Sequence, residues 1–161
     1  MKTLIVYASK YGCTADCASL LKQKLTGDIT LIDINNAPKK IDVIAYDTII
    51  IGGSVYVGRV SKNLRAFCES NLDALLKKNI GVFLCSALAD QFNDTLKNNF
   101  PILLLDNANA IRLFGCEARL KKMNFMDKMM IKAVTKGDFS GFRISNESIN
   151  EFAGEISALG L

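Results

Sequence analysis

The sequence contains no histidine and no tryptophan, and only two of its 161 residues are proline. Histidine is the commonest general base and metal ligand in enzymes, so its absence excludes Ser-His-Asp hydrolysis and Cys-His nucleophilic chemistry. The shortage of proline, together with 50% apolar and 22% charged residues, is typical of an ordered globule. The absence of histidine therefore narrows the possible functions more than any motif does.

The five cysteines include no CxxC pair and no cysteine group of the kind that binds zinc. Apolar runs are also short: the first, residues 3–8, is shorter than the core of a signal peptide and runs into a polar turn. These features predict a reduced chain that resides in the cytoplasm. The net charge of +4 is modest, and we expect no nucleic-acid partner.

Five short runs rich in β-branched residues alternate with stretches that have helical periodicity. The runs are residues 3–8, 29–34, 47–53, 80–86 and 110–116. Most are continuously apolar, as strands buried on both faces must be. Because strand, helix, strand is the order of a parallel sheet with right-handed crossovers, we expect a single α/β domain over 1–161 with a doubly wound five-stranded sheet.

The last helix and a long segment before it stand apart from this alternation. Ser145 is predicted to cap a final helix with Ile149, Phe152, Ile156 and Leu159 on its apolar face. The segment 117–144, after the fifth strand, is far longer than a normal connection. We expect an insertion of this length to be functional or mobile.

A polar turn, "SKYGCT", follows the first strand, at the edge of the sheet where such folds bind ligands. It is neither a GxGxxG nor a GxxxxGK[ST] motif, so a dinucleotide or nucleotide P-loop is not supported. Ser9, Gly12 and Thr14 could offer hydroxyls and backbone N–H groups at a helix N-terminus, donors that suit a phosphate monoester. Ordinary turn and capping chemistry is the alternative for Ser9 and Thr14.

Two further loops are expected at the same edge of the sheet. "GGSVYVGRV" follows the third strand and carries Tyr56, which could stack on a flat ring, while "CSALADQ" follows the fourth strand. A half-exposed loop aromatic is the plainer interpretation of Tyr56. We expect these three loops, all rich in small residues, to form a shallow cleft with a phosphate site at one end. Such a cleft would suit a flat cofactor that carries one phosphate, and FMN is the candidate.

The loop Ser9, Gly12, Thr14 after strand one, the stretch "YDTIIIGGSVYVG" and the strand order 2-1-3-4-5 resemble the flavodoxin family over essentially the whole chain. The resemblance implies that FMN is bound by three groups of residues. The phosphate would be held by Ser9, Lys10, Tyr11, Gly12, Cys13 and Thr14; one side of the ring would be covered by Ser54, Val55, Tyr56, Val57 and Gly58; the other would be bordered by Ser86, Ala87 and Leu88. Backbone groups near Val55 to Gly58 would tune the redox potential.

The insertion "MNFMDKMMIK" followed by the helix "ESINEFAGEI" is similar to the flavodoxin-domain protoporphyrinogen oxidases of the menaquinone-dependent type. This resemblance implies an FMN-dependent oxidoreductase of porphyrin biosynthesis that passes electrons from a porphyrinogen to a quinone. A non-enzymatic electron carrier that meets a redox partner protein is the alternative. No side chain is predicted to act as a catalytic acid or base.

Residues 119–143 carry seven basic side chains against two acidic ones, a net charge of +5, so the rest of the chain carries −1. Met123, Met126, Met130, Ala133 and Val134 fall at helical spacing and lysines flank them. This pattern predicts a cationic amphipathic helix that contacts the cytoplasmic membrane face or an acidic partner. Packing against the same domain, or a contact between two copies in an oligomer, is the alternative.

Overall fold

The computed structural model describes residues 1–37 and 40–160. The range 1–161 of the predicted single domain includes positions 38, 39 and 161, which lie outside the described residues. The strands are β1 (Lys2–Ala8), β2 (Asp28–Asp33), β3 (Thr48–Ser54), β4 (Asn79–Cys85) and β5 (Ala110–Leu113). The helices are α1 (Cys13–Lys24), α2 (Lys62–Ser70), α3 (Leu72–Leu75), α4 (Phe92–Asn99), α5 (Ile102–Asp106), α6 (Phe125–Thr135) and α7 (Asn146–Ala158).

The sheet has five parallel strands in the order β2-β1-β3-β4-β5, which confirms the predicted topology. Its register sets Ile5 of β1 opposite Leu31 of β2 and Ile50 of β3. The central strands β3 and β4 are buried almost throughout, as their apolar sequences predict, whereas the edge strand β2 is half-buried. The fifth strand is shorter than predicted, because only Ala110–Leu113 pairs with β4.

Helices cover both faces of the sheet. On one face, α1 and α7 pack around Ile5, Ile50 and Phe83. On the other, α2 and α4 pack around Ile49, Ile51 and their neighbours. Two core clusters, one on each side, make this a doubly wound sandwich, in which the carboxyl ends of the strands meet at one edge.

The helix ends follow the sequence signals in part. Ser145 caps α7, because its Oγ accepts a hydrogen bond from the Ser148 N–H at 3.2 Å. Ile149, Phe152 and Ile156 are buried as predicted, but Leu159 follows the end of α7 and is exposed. The expected alternation of strands and helices places a helix between β4 and β5. The structure has two there: α4, which is mostly polar, and α5, which is too short to show a helical period. None of the helices in the described ranges is long and apolar enough to cross a membrane.

Three phenylalanines and a glycine fix the packing between the sheet and α7. Phe83 stacks on Phe114 with ring centroids 4.5 Å apart, and Phe152 meets both rings edge-on. Gly52 lies opposite Phe83 in the neighbouring strand, and a Cβ at Gly52 would overlap the Phe83 ring. The close fit of the aromatic cluster on the sheet therefore requires glycine at position 52.

We expect the substitution Gly52→Ala to lower the free energy of unfolding by roughly 1–3 kcal/mol, because the added methyl group must displace a fully buried ring. Urea denaturation measures the change. Gly154→Ala on the open side of α7 is the matched control and should be neutral or stabilising by up to about 1 kcal/mol, because nothing lies near that Cβ and alanine favours helix. Equal stability of Gly52→Ala and the wild type would contradict the close fit.

Candidate functional site

The loops after β1, β3 and β4 meet at the carboxyl edge of the sheet and line a cleft of about 410 Å³. This volume lies within the range of about 300–1,000 Å³ that small-molecule sites occupy. Of the predicted site residues, the cleft is lined by Ser9, Lys10, Tyr11, Cys13, Thr14, Ser54, Val55, Tyr56, Val57, Gly58, Ser86, Ala87 and Leu88. Gly12 is the exception, because it lies in the same turn but outside the lining.

Ser9 organises the turn between β1 and α1. Its Oγ accepts hydrogen bonds from the backbone N–H groups of Gly12, at 3.1 Å, and Ala15, at 3.3 Å. Ser9 therefore has the turn and capping role that was the alternative to phosphate binding in the sequence. Its hydroxyl hydrogen remains available for donation, because both of these bonds use the oxygen as acceptor.

Thr14 behaves differently from Ser9. It is fully buried, and its Oγ1 has no hydrogen-bond partner among the described residues. A buried hydroxyl without a partner costs about 1–3 kcal/mol, so such groups are rare and call for an explanation. An acceptor atom of a ligand in the cleft would satisfy the Thr14 hydroxyl.

Basic side chains from the segment 117–144 surround the turn. Arg119 Nη1 lies 2.7 Å, and Lys122 Nζ 3.8 Å, from the position that a Cβ of Gly12 would take. Gly12 also has a left-handed φ of 93°. Glycine is thus required at position 12 for its left-handed backbone conformation. The Arg119 guanidinium is paired with Asp16 and Glu117, so the N-terminus of α1 and Lys122 are what favour an anion at this turn.

The loop after β3 is a tight turn. The backbones of Tyr56 and Arg59 exchange two hydrogen bonds, of 2.8 and 2.9 Å, and the two residues between them have positive φ, 51° at Val57 and 69° at Gly58. A β-branched residue rarely adopts this conformation. Asn99 of α4 holds the turn in place, because it donates to Gly58 O at 2.9 Å and accepts from Val60 N at 3.0 Å.

Asp127 of α6 joins two of these loops, and the sequence analysis did not identify it. Its buried carboxylate pairs with Lys10 Nζ at 2.7 Å and accepts hydrogen bonds from the hydroxyls of Tyr11 and Tyr56. Burial by itself would raise the pKa of Asp127, but the bonds from Lys10, Tyr11 and Tyr56 outweigh it and lower the pKa to about 2. Asp127 is therefore ionised at neutral pH and acts as a hydrogen-bond acceptor.

Tyr56 is held from two directions in this cluster. Lys10 Nζ lies 4.0 Å from the centroid of its ring, a cation–π contact, while its hydroxyl donates to Asp127. Burial and the bond to Asp127 raise the pKa of Tyr56 to about 12. Since Lys10 covers one face of the ring, only the other face could stack on a flat ligand.

Three cysteines line the cleft: Cys13, Cys85 and Cys116. All are free thiols. Hydrogen bonds from Cys17 and Cys85, with a further bond from the Glu117 N–H at 3.3 Å, hold the pKa of Cys13 well below its usual range. Cys13 therefore adds to the cleft a thiol with thiolate character, a property that its position at the N-terminus of α1 also favours.

The remaining lining comes from residues that the sequence analysis did not assign to the site. One wall is apolar and belongs to the segment 117–144, with contributions from Met123, Met130, Ile131, Val134 and Phe142. Met123 precedes α6, so it does not share the helical face on which the periodicity placed it. Two signals in the sequence pointed to this wall: the length of the segment and the helical spacing of its apolar residues, which included Met123, Met130 and Val134.

We expect the stabilising effect of Asp127 to depend on pH. Its pKa in the folded protein, about 2, is below the ordinary value, so its contribution is fully present above about pH 4 and is lost as pH falls towards 2. In urea unfolding at pH 7, the free energy of unfolding of Asp127→Asn should be lower than that of the wild type. This difference should become smaller below pH 4. Asp106→Asn, at an exposed position, is the control. If the free energy of unfolding of that variant differed from the wild type by the same amount and with the same pH dependence, this role of Asp127 would be contradicted.

Several solved flavodoxin structures have a similar fold. A short-chain flavodoxin associated with a non-canonical PDU bacterial microcompartment is 18% identical, with a TM-score of 0.60 over all of both chains. Oxidised flavodoxin 1 from Bacillus cereus is 18% identical, with a TM-score of 0.58 over 98% of each chain. The Fusobacterium nucleatum flavodoxin bound to flavin mononucleotide is 14% identical, with a TM-score of 0.53 over 99% of each chain. At these identities the likeness shows the fold alone.

The sequence itself matches a protein family. No curated protein matches the chain. The family model described as "Flavodoxin domain", however, matches residues 4–140, which include the cleft loops and α6. With the topology β2-β1-β3-β4-β5 and the cleft at the carboxyl edge of the sheet, this match shows that the chain belongs to the flavodoxin domain family.

Proposed function

We propose that residues 1–161 form a single flavodoxin-like domain that binds FMN in the cleft and transfers electrons through it. The observation that carries this proposal is the Thr14 hydroxyl: Thr14 is one of the residues that line the cleft, and its buried Oγ1 has no hydrogen-bond partner among the described residues. A phosphate oxygen is the acceptor that this hydroxyl lacks. Lys122 adds positive charge near the same turn, where Lys10 and Arg119 are already paired with carboxylates.

The residues of the cleft fit the parts of FMN. The turn Ser9–Thr14 would hold the phosphate with hydroxyl and backbone N–H donors, as the N-terminus of α1 favours. Val55–Gly58 and Ser86–Leu88 would lie against the ring, with the Val57–Gly58 turn held rigid by Asn99. When bound, FMN supplies the electron-transfer chemistry, while these residues orient it and shield it from water.

The apolar wall favours an enzyme over a pure carrier. A carrier needs only an exposed flavin edge, whereas this cleft continues into a methionine-rich and aliphatic surface that could hold a flat apolar molecule. The chain would then act like the protoporphyrinogen oxidases: electrons and protons leave a reduced porphyrinogen in pairs, and a quinone takes them up as a quinol. The alternative is a non-enzymatic electron carrier that docks to a redox partner protein, as the likeness of its fold to flavodoxins suggests.

We further propose that the chain works in the cytoplasm and contacts the membrane peripherally through residues 119–143. The excess of basic over acidic side chains in this segment supports that location.

The phosphate site can be tested by titration. Apoprotein should bind FMN stoichiometrically and more tightly than riboflavin. Thr14→Ala should weaken FMN binding by about 1.5–3 kcal/mol, because a hydrogen bond to a charged phosphate is lost. Quenching of flavin fluorescence measures both affinities.

Two variants control for general effects of the substitution. Thr14→Ser keeps the hydroxyl and should restore most of the affinity. Thr3→Ala removes another fully buried threonine hydroxyl without a described partner, but on the first strand and outside the cleft lining, and should leave FMN affinity unchanged. Equal affinity for riboflavin and FMN would overturn the phosphate site.

Turnover separates the enzyme from the carrier. Under anaerobic conditions, FMN-loaded protein mixed with protoporphyrinogen and a quinone analogue should form porphyrin faster than free FMN does at the same concentration. Porphyrin fluorescence follows the product, and flavin absorbance should fall and recover within the same experiment. Porphyrin formation no faster than with free FMN would favour the carrier.

A further inference from the structure

Helix α6 shows its apolar side to solvent. A surface helix of a globular protein normally turns its apolar residues towards the core. Here the buried position is a carboxylate, since Asp127 is only 5% exposed. Three apolar residues turned away from Asp127 are exposed instead: Phe125 by 73%, Met126 by 70% and Met129 by 58%. We call these three residues the outer face of α6.

The contacts of Asp127 fix this orientation. Its bonds to Lys10, Tyr11 and Tyr56 attach the first turn of α6 to the loops after β1 and β3. Asn124 caps the helix, because its Oδ1 accepts from the Asp127 N–H at 2.8 Å. The side of the helix that carries Asp127 therefore faces the body of the protein, and the outer face cannot turn inward without separating the buried Asp127 from Lys10, Tyr11 and Tyr56.

The outer face is continuous with the cleft. Met130 and Val134, which are 39% and 58% exposed, line the apolar wall and adjoin the outer face along α6. A molecule that leaves the cleft along this wall thus reaches the outer face without crossing a charged surface on α6.

Lysines flank the outer face. Lys128, Lys132 and Lys136 follow one another at intervals of one helical turn, and the surrounding segment 119–143 has the net charge of +5 noted above. Contact with a second copy would bring two such segments together and would be opposed by their charge. Long apolar side chains bordered by lysines are instead the pattern of a helix that lies in the interface of an anionic bilayer.

We propose that the outer face of α6 docks on an anionic lipid bilayer and thereby opens the apolar wall of the cleft towards the membrane, where a lipid-soluble electron acceptor is dissolved. The inference rests on the proposed function for the role of the acceptor. The docking itself rests on the exposure of the outer face, on the orientation of α6 that the contacts of Asp127 fix, and on the positive charge of residues 119–143.

Co-sedimentation with vesicles tests the docking. The FMN-loaded protein should bind vesicles that contain phosphatidylglycerol, bind weakly to pure phosphatidylcholine, and be released by salt because the attraction is electrostatic. The triple variant Lys128→Gln, Lys132→Gln, Lys136→Gln should lose roughly 100-fold in vesicle affinity. The triple variant Phe125→Ser, Met126→Ser, Met129→Ser should lose binding even at low salt.

Matched variants elsewhere on the surface control for charge and apolarity. Lys22→Gln, Lys24→Gln, Lys62→Gln removes three other exposed lysines, and Ile102→Ser, Leu103→Ser removes two other exposed apolar side chains. Both should bind vesicles like the wild type. Circular dichroism and FMN titration without lipid show whether every variant folds.

Several outcomes would overturn the docking. One is equal recovery of the wild type in the supernatant with and without phosphatidylglycerol. Another is a dimer in sedimentation equilibrium that the outer-face substitutions abolish, which would assign the face to a second copy. A third is binding to soluble polyglutamate as tight as to vesicles, which would assign it to an acidic protein. FMN titration without lipid keeps the two proposals apart, because vesicle binding without FMN binding would overturn the proposed function alone.

Discussion

The buried carboxylate of Asp127 is the interaction on which the cleft depends. A buried charge is costly unless it is paired and its remaining lone pairs are satisfied, and here one ammonium and two phenol hydroxyls meet both needs. Its partners come from the loops after β1 and β3, so a single side chain of α6 joins three parts of the site. The apolar wall, the position of Tyr56 and the outward direction of the outer face all follow from that attachment.

The turn after β1 divides two tasks between residues that look alike in the sequence. Ser9 satisfies backbone N–H groups and shapes the turn, whereas the hydroxyl of Thr14 is buried without a described partner. The hydrogen bonds of Ser9 are complete within the protein. The buried Thr14 hydroxyl, without a partner, is costly in the absence of a ligand, and a ligand that accepts its hydrogen bond would gain affinity by removing this cost.

Electrostatics around this turn also depend on contacts distant in sequence. Arg119 approaches Gly12 and pairs with Asp16 and Glu117. The same region supplies the Glu117 N–H that bonds Cys13 Sγ. Hydrogen bonds from Cys17 and Cys85 and the nearby Arg119 guanidinium lower the pKa of Cys13 and favour its thiolate. Bringing the segment 117–144 against α1 therefore changes the chemistry of a residue more than 100 positions away.

The sequence by itself determined the sheet and the loops that end its strands. Continuous β-branched runs indicate strands buried on both faces, and their alternation with helices indicates a parallel sheet. Because the carboxyl ends of such strands meet at one edge, Ser9, Tyr56 and Ser86 could be assigned to one cleft before any coordinates. Only the tertiary structure decided how α6 lies. The helical period of Met126, Met130 and Val134 is the same whether that face is buried or exposed, because periodicity records which residues share a face and not what the face meets. The decision rests on Asp127 and its bond to Tyr11, a pair separated by 116 positions, and no local pattern specifies a contact between residues so far apart.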